Sequence, residues 1–137
     1  MTSASASIEI NAPADRVWAV VGGFDGLPEW LDLIRTSRLE DGGRVRRLEA
    51  INGAVIVERL LNFDEEARYF RYRHLEAPDP VTGYVGEMAV EPVSATRSKV
   101  RWSGSFTPVG IGEAEAIAHF EGIYVTGLEG LKRRIEK

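Results

Sequence analysis

Apolar residues recur at spacings of three and four along the last stretch of the chain, Gly112 to Lys137: Ile117, Phe120, Tyr124, Leu128, Leu131 and Ile135. That period puts them on one face of a helix of about seven turns. Glu115, Glu121, Glu129, Lys132 and Arg133 fall off the stripe. Such a helix is not stable alone in water, so the stripe predicts an apolar surface elsewhere in the chain for it to lie on. Gly122, Gly127 and Gly130 each cost about 1 kcal/mol relative to alanine in a helix interior, which points to close packing or to room left for a ligand beneath the helix.

Upstream, Ser5 to Asn11 alternates with a period of two and reads as a short strand, Ile8 and Ile10 facing one way and Ser7 and Glu9 the other. Pro13 and Asp15 suit a first helical turn, Val17, Trp18, Val20 and Val21 give it an apolar face, and Gly22-Gly23 ends it. A second short helix is expected over Gly26 to Ile34, with Leu27, Trp30, Leu31 and Ile34 on one face. From Thr36 to Pro108 the period is two throughout. Turn residues at Asp41-Gly42-Gly43, Asn52-Gly53, Asp64-Glu65-Glu66, Ala77-Pro78-Asp79-Pro80 and Ser94-Ala95-Thr96 divide this stretch into six strands joined as hairpins. Phe70, Tyr72 and His74 alternate with Arg71 and Arg73; Tyr84, Gly86, Met88 and Val90 alternate with Val85, Glu87, Ala89 and Glu91; Val100, Trp102, Gly104 and Phe106 alternate with Lys99, Arg101, Ser103 and Ser105. One face of the sheet is therefore apolar and aromatic, the other charged and wet. The fold class is α+β: a seven-stranded antiparallel sheet wrapped around a long C-terminal helix, a helix-grip arrangement, with two short helices after the first strand closing one end and space for a hollow between helix and sheet.

Length and composition narrow the function classes. The 137 residues, 44% hydrophobic and 28% charged, fit one domain, 1–137, with a substantial core. There is no cysteine and only two histidines, His74 and His119, so a metal site is not expected and no cofactor is implied. The net charge of -4, with both signs interspersed, lacks the footprint of a nucleic-acid binder. Met1 to Ser7 has neither the basic start nor the apolar core of a signal peptide, and no apolar run is long enough to span a bilayer. The expectation is a cytoplasmic protein with no integral membrane segment, its oligomeric state open.

The order of elements and a set of segments carry a resemblance: Ile10-Asn11-Ala12-Pro13-Ala14-Asp15-Arg16-Val17-Trp18, then Trp30, Glu58-Arg59-Leu60-Leu61-Asn62-Phe63-Asp64, Tyr84-Val85-Gly86 and Gly127-Leu128-Glu129-Gly130-Leu131-Lys132. Over nearly its whole length the chain resembles the START-like, or SRPBCC, superfamily of Bet v 1-like and polyketide cyclase/dehydrase-like proteins. That resemblance implies a small hydrophobic ligand as partner. The middle of the chain is similar to plant lachrymatory-factor-synthase-like proteins, whose acid-base chemistry is attributed to an arginine and a glutamate with tyrosines nearby. By local motif these fall on Arg46, Glu58, Tyr72 and Tyr84. The hairpin between Arg46 and Glu58 is shorter here, and Arg47 replaces an aromatic neighbour.

Hairpin geometry bears on the pair independently. A two-residue turn at Asn52-Gly53 opposes Arg47 to Glu58, and Arg46 to Arg59; a three-residue Ile51-Asn52-Gly53 loop opposes Arg46 to Glu58. The second is favoured, because a cross-strand Arg and Glu is better than two opposed arginines. In an apolar cavity Glu58 would feel desolvation and a guanidinium at once, conditions that tune an acid or base; on a surface the same pair is an ordinary ion pair. Trp18, Trp30 and Trp102 read as core anchors or as ligand platforms. His74 and His119, with no triad-like spacing, read as structural or exposed. Two functions follow. One is a carrier or sensor whose cavity is lined by Tyr72, Tyr84, Met88, Trp102, Phe106, Tyr124 and Leu128; the other is an enzyme that adds proton transfer, with Glu58 and Arg46 acting on a small carbonyl compound. A partner-binding role for the sheet edge is a third.

Overall fold

A computed structural model describes residues 1–137. Seven strands, β1 (Thr2–Ile10), β2 (Ile34–Glu40), β3 (Val45–Ala50), β4 (Val55–Asp64), β5 (Tyr69–Glu76), β6 (Val81–Ser94) and β7 (Arg97–Pro108), form one antiparallel sheet in the order β1-β7-β6-β5-β4-β3-β2. Helix α1 (Ala14–Val21) follows β1, and the long helix α2 (Glu113–Glu136) ends the chain. Strand β1 starts at Thr2, earlier than its apolar alternation shows, because Ala4 is the inward residue of a stretch otherwise made of small polar side chains.

The second short helix is reduced to a single 3-10 turn, Leu27–Glu29. Leu27, Trp30, Leu31 and Ile34 are all buried, as the spacing suggested, but Ile34 already pairs with Ala50 as the first residue of β2. Ile34 N–H closes a tight turn on the Leu31 carbonyl at 3.0 Å, and the Leu33 carbonyl accepts from Ile51 N–H at 2.9 Å, so these backbone groups are satisfied without a continued helix.

The stripe of α2 faces inward: Ala116, Phe120, Tyr124, Gly127, Leu128, Leu131 and Ile135 are buried, whereas Glu121 and Glu129 are exposed. Two of the three interior glycines have packing reasons. A Cβ on Gly127 would sit 2.8 Å from the Trp102 ring and 3.0 Å from Leu31, and one on Gly130 would collide with the Trp30 carbonyl. Gly122 is exposed with nothing near it. The helix packs mainly along β1 and β7, which leaves a gap between α2 and the inner face of β3, β4 and β5, and the cavity lies there.

Candidate functional site

Three adjacent strands each put one polar residue on this inner face, in a row. Arg46 of β3 pairs across the sheet with Glu58 of β4, and Glu58 with His74 of β5. The first pairing is that of the three-residue loop: Ala50 N–H donates to Ala54 O at 2.9 Å, Asn52 Oδ1 accepts from Ala54 N–H at 3.0 Å, and Gly53 takes φ +88°, a left-handed conformation that glycine adopts without penalty. The second pairing depends on bulges. From the Asp64↔Tyr69 turn, regular counting sets Leu75 opposite Glu58; a register shift between Leu60 and Asn62 moves the partner to His74 and leaves Leu75 exposed.

Arg46 and Glu58 are buried, at 3% and 5% exposure. Arg46 Nε and Nη2 reach Glu58 Oε1 at 2.8 and 2.7 Å, and Nη1 donates to the Phe24 carbonyl at 3.0 Å. The guanidinium carbon lies 4.3 Å from the Phe24 ring centre and 5.2 Å from that of Tyr72, within cation–π range. His74 Nε2 is 3.2 Å from Glu58 Oε2. Beyond His74 the row continues to the surface: Asp79, in the β5–β6 turn, has Oδ2 4.0 Å from His74 Nδ1, and its Oδ1 accepts from His119 Nε2 of α2 at 2.7 Å.

Burial by itself would push the Glu58 carboxyl up. The Arg46 guanidinium and His74 outweigh that and hold it below the ordinary value of 4.5. Glu58 is therefore ionised, with both oxygens engaged.

A second polar group forms the floor. Trp102 Nε1 donates to Tyr72 Oη at 2.9 Å, Tyr72 and Tyr84 hydroxyls meet at 3.2 Å, and Tyr84 Oη bonds Tyr124 Oη. Gly86 and Gly104, opposite each other on β6 and β7, make this cluster possible: a Cβ on Gly86 would overlap the Tyr72 ring, and one on Gly104 the Tyr124 hydroxyl. Burial raises all three phenols above their ordinary value of 10.0, helped at Tyr72 and Tyr124 by the Glu58 charge and at Tyr84 by the neighbouring tyrosines. They stay protonated. Three hydroxyl hydrogens serve two tyrosine–tyrosine contacts, so one is left over.

The polar row and the floor border one cavity of about 190 Å³, mostly apolar and open at one end. Leu31, Leu48, Ile56, Phe120 and Ile123 form much of its wall. Of the residues singled out from sequence, Arg46, Glu58, Tyr72, Tyr84, Trp102 and Tyr124 are brought together on it. Met88, Phe106 and Leu128 are not; they are buried at 2%, 0% and 1% in the solid core beneath. Phe106 is on β7, along which α2 packs, Leu128 is on the inner stripe of α2 itself, and Met88 is on β6, against which α1 packs. Trp30 is a core anchor packed edge-on against Trp102 at 5.8 Å, and Trp18 packs near Phe63 at 5.3 Å, away from the cavity.

His74 and His119, read from sequence as structural or exposed, both line the cavity, as does Asp79. His74 lay on the aromatic face of β5 by alternation, which was the available signal; its partner was hidden by the bulge. Asp79 and His119 are forty residues apart in sequence and meet only through the turn and the helix.

The family described as "Polyketide cyclase / dehydrase and lipid transport" matches residues 1–136. The chain belongs to that family. Its fold agrees with that of the protein XoxI from Bacillus cereus, 41% identical with a TM-score of 0.97 over 100% of this chain and 97% of that one. An uncharacterised protein from Bacillus thuringiensis is 40% identical, with a TM-score of 0.96 over 98% and 99%. The Zhui aromatase/cyclase from Streptomyces sp. R1128 shares the fold at 21% identity, TM-score 0.82, over 98% and 93%. No curated relative matches the chain. This member of the polyketide cyclase/dehydrase family carries a ligand-binding or cyclase-like role, and no helix in it is long and apolar enough to cross a membrane.

Proposed function

We propose that this family member binds a small hydrophobic molecule bearing an oxygen function in the cavity between α2 and the curved sheet. The observation that carries the reading is a buried ionic row, Arg46–Glu58–His74, on the wall of an otherwise apolar, open cavity. Buried ion pairs contribute little net stability compared with apolar packing, so their place beside a hollow favours ligand recognition over a purely structural role. Volume limits the occupant. A cavity of about 150 Å³ holds benzene, so about 190 Å³ suits one or two fused rings, and a sterol or long acyl chain requires the site to widen.

A thermal-shift screen of fatty acids, aromatic polyketides, sterols and fused-ring phenols tests this, because a ligand that binds only the folded state raises Tm. Fused-ring phenols are expected to raise it, and sterols to leave it unchanged. No shift with any class, and no displacement of a bound fluorescent probe, contradicts the reading.

A second reading rests on the ionised Glu58 with Arg46 beside it: proton-transfer catalysis, such as isomerisation, cyclisation or dehydration, on a small carbonyl compound. In it the free tyrosine hydrogen and Arg46 face the developing oxyanion, as donors positioned before the reaction begins.

A further inference from the structure

Glu58 is poorly arranged to move a proton. Its Oε1 takes two Arg46 nitrogens, its Oε2 faces His74, and its charge is held in place by both. His74 is arranged differently. A carboxylate oxygen 3.2 Å from Nε2 cannot donate, and a bare imidazole lone pair aimed at it would be repelled, so the ring hydrogen belongs on Nε2. That leaves Nδ1 as the free lone pair. Its nearest carboxylate, Asp79 Oδ2, is 4.0 Å away, beyond hydrogen-bond reach, and the ring borders the cavity. The ring plane is fixed by stacking on Tyr84, 4.1 Å between centroids with 21° between planes.

We propose that His74 Nδ1 is the proton-accepting atom of this site, with Glu58 and Asp79 as positioning residues on either side and His119 linking Asp79 to solvent. The inference rests on the proton-transfer reading above. In the step, an O–H or carbonyl-activated C–H bond of the ligand breaks and its electron pair stays on the ligand as a phenolate or enolate. The proton forms a bond to Nδ1, giving an imidazolium between the Glu58 and Asp79 carboxylates. Every titratable or charged group facing the ring takes part: Arg46 from β3 fixes Glu58 of β4, Asp79 comes from the β5–β6 turn, Tyr84 of β6 stacks on the ring, and His119 comes from α2. Return of the proton to water has a route, since His119 is 41% exposed and bonded to Asp79.

Two measurements test the assignment. Long-range proton–nitrogen NMR of the wild-type protein, with no ligand added, reads the His74 tautomer; Nε2–H is expected. A dominant Nδ1–H tautomer overturns the inference whatever binds. The second uses 4-nitrophenol, whose absorption separates phenol from phenolate. The wild type is expected to bind it and show the bound phenolate band at a pH where the free probe is protonated. His74→Gln is expected to lose the band even when the probe is raised to a concentration that saturates the site. Retention of the band in His74→Gln, with loss in a folded Glu58→Gln, reassigns the proton to Glu58 and overturns the inference alone. Absence of 4-nitrophenol binding to the wild type overturns the cavity reading and the inference with it.

Discussion

Glu58 sits between a guanidinium and an imidazole with its side chain 7% exposed, so its neighbours depend on its charge. Glu58→Leu leaves the Arg46 charge buried with only the Phe24 carbonyl for company, and loss of one member of such a pair costs about 3–5 kcal/mol. The double variant Arg46→Met, Glu58→Leu should recover most of that, because the cavity wall is otherwise apolar. Urea midpoints of the two variants check both expectations. The carboxyl of Glu58 is held below 4.5 in the folded protein, which fixes the sign of its acid response. Its contribution is fully present above that value and is lost as pH falls through the lower folded one, because the unfolded chain takes up the proton first. Half-buried Glu40 and exposed Glu136 are also lowered, by Arg47 and by the Asn11 backbone N–H respectively, and slope in the same direction. The difference between wild type and Glu58→Gln in acid-series denaturation isolates Glu58, and the variant should show the flatter curve. At this scale the sequence was informative about Arg46 and Glu58 because a single glycine loop fixes their register. It gave the face of His74 but not its partner, because one bulge residue changes the register.

The elements give a pair of opposed predictions on one helix. Gly122 of α2 faces open space, so Gly122→Ala should stabilise by about 1 kcal/mol through helix propensity alone. Gly127→Ala gains the same propensity but drives a methyl to within 2.8 Å of Trp102, and overpacking typically costs about 1–3 kcal/mol. It should lower the denaturation midpoint where Gly122→Ala raises it. Gly104→Ala should be worse than either, since its Cβ would displace the Tyr124 hydroxyl from the buried phenol cluster. Periodicity made the strands and α2 legible, because a two-residue or 3.6-residue repeat is the direct trace of which face is buried. It could not show where the helix presses and where it leaves a hollow. Met88, Phe106 and Leu128 carry the same periodicity as Tyr72, Tyr84 and Tyr124, and only the packing of α2 along β1 and β7 and of α1 against β6 separates core from cavity. The short second helix failed for a related reason: Leu27, Trp30, Leu31 and Ile34 are buried together, and a tight turn leading into β2 satisfies that spacing as well as a helix does.

For the whole molecule, the curved sheet closes on α2 firmly at the β1–β7 side and loosely at the β3–β5 side, and that asymmetry makes one pocket with a polar row along its wall. A solid-core protein of the same fold would have no capacity for a guest and would gain nothing from a phenol. The most direct test is calorimetric titration of 2-naphthol into the wild type and into Ile56→Trp, a substitution that fills the cavity from its wall. The account predicts saturable binding to the wild type with a negative heat-capacity change, from burial of apolar surface. It predicts no binding to an Ile56→Trp protein that unfolds at a temperature close to the wild type's. Equal binding to both proteins, or none to the wild type, would contradict it.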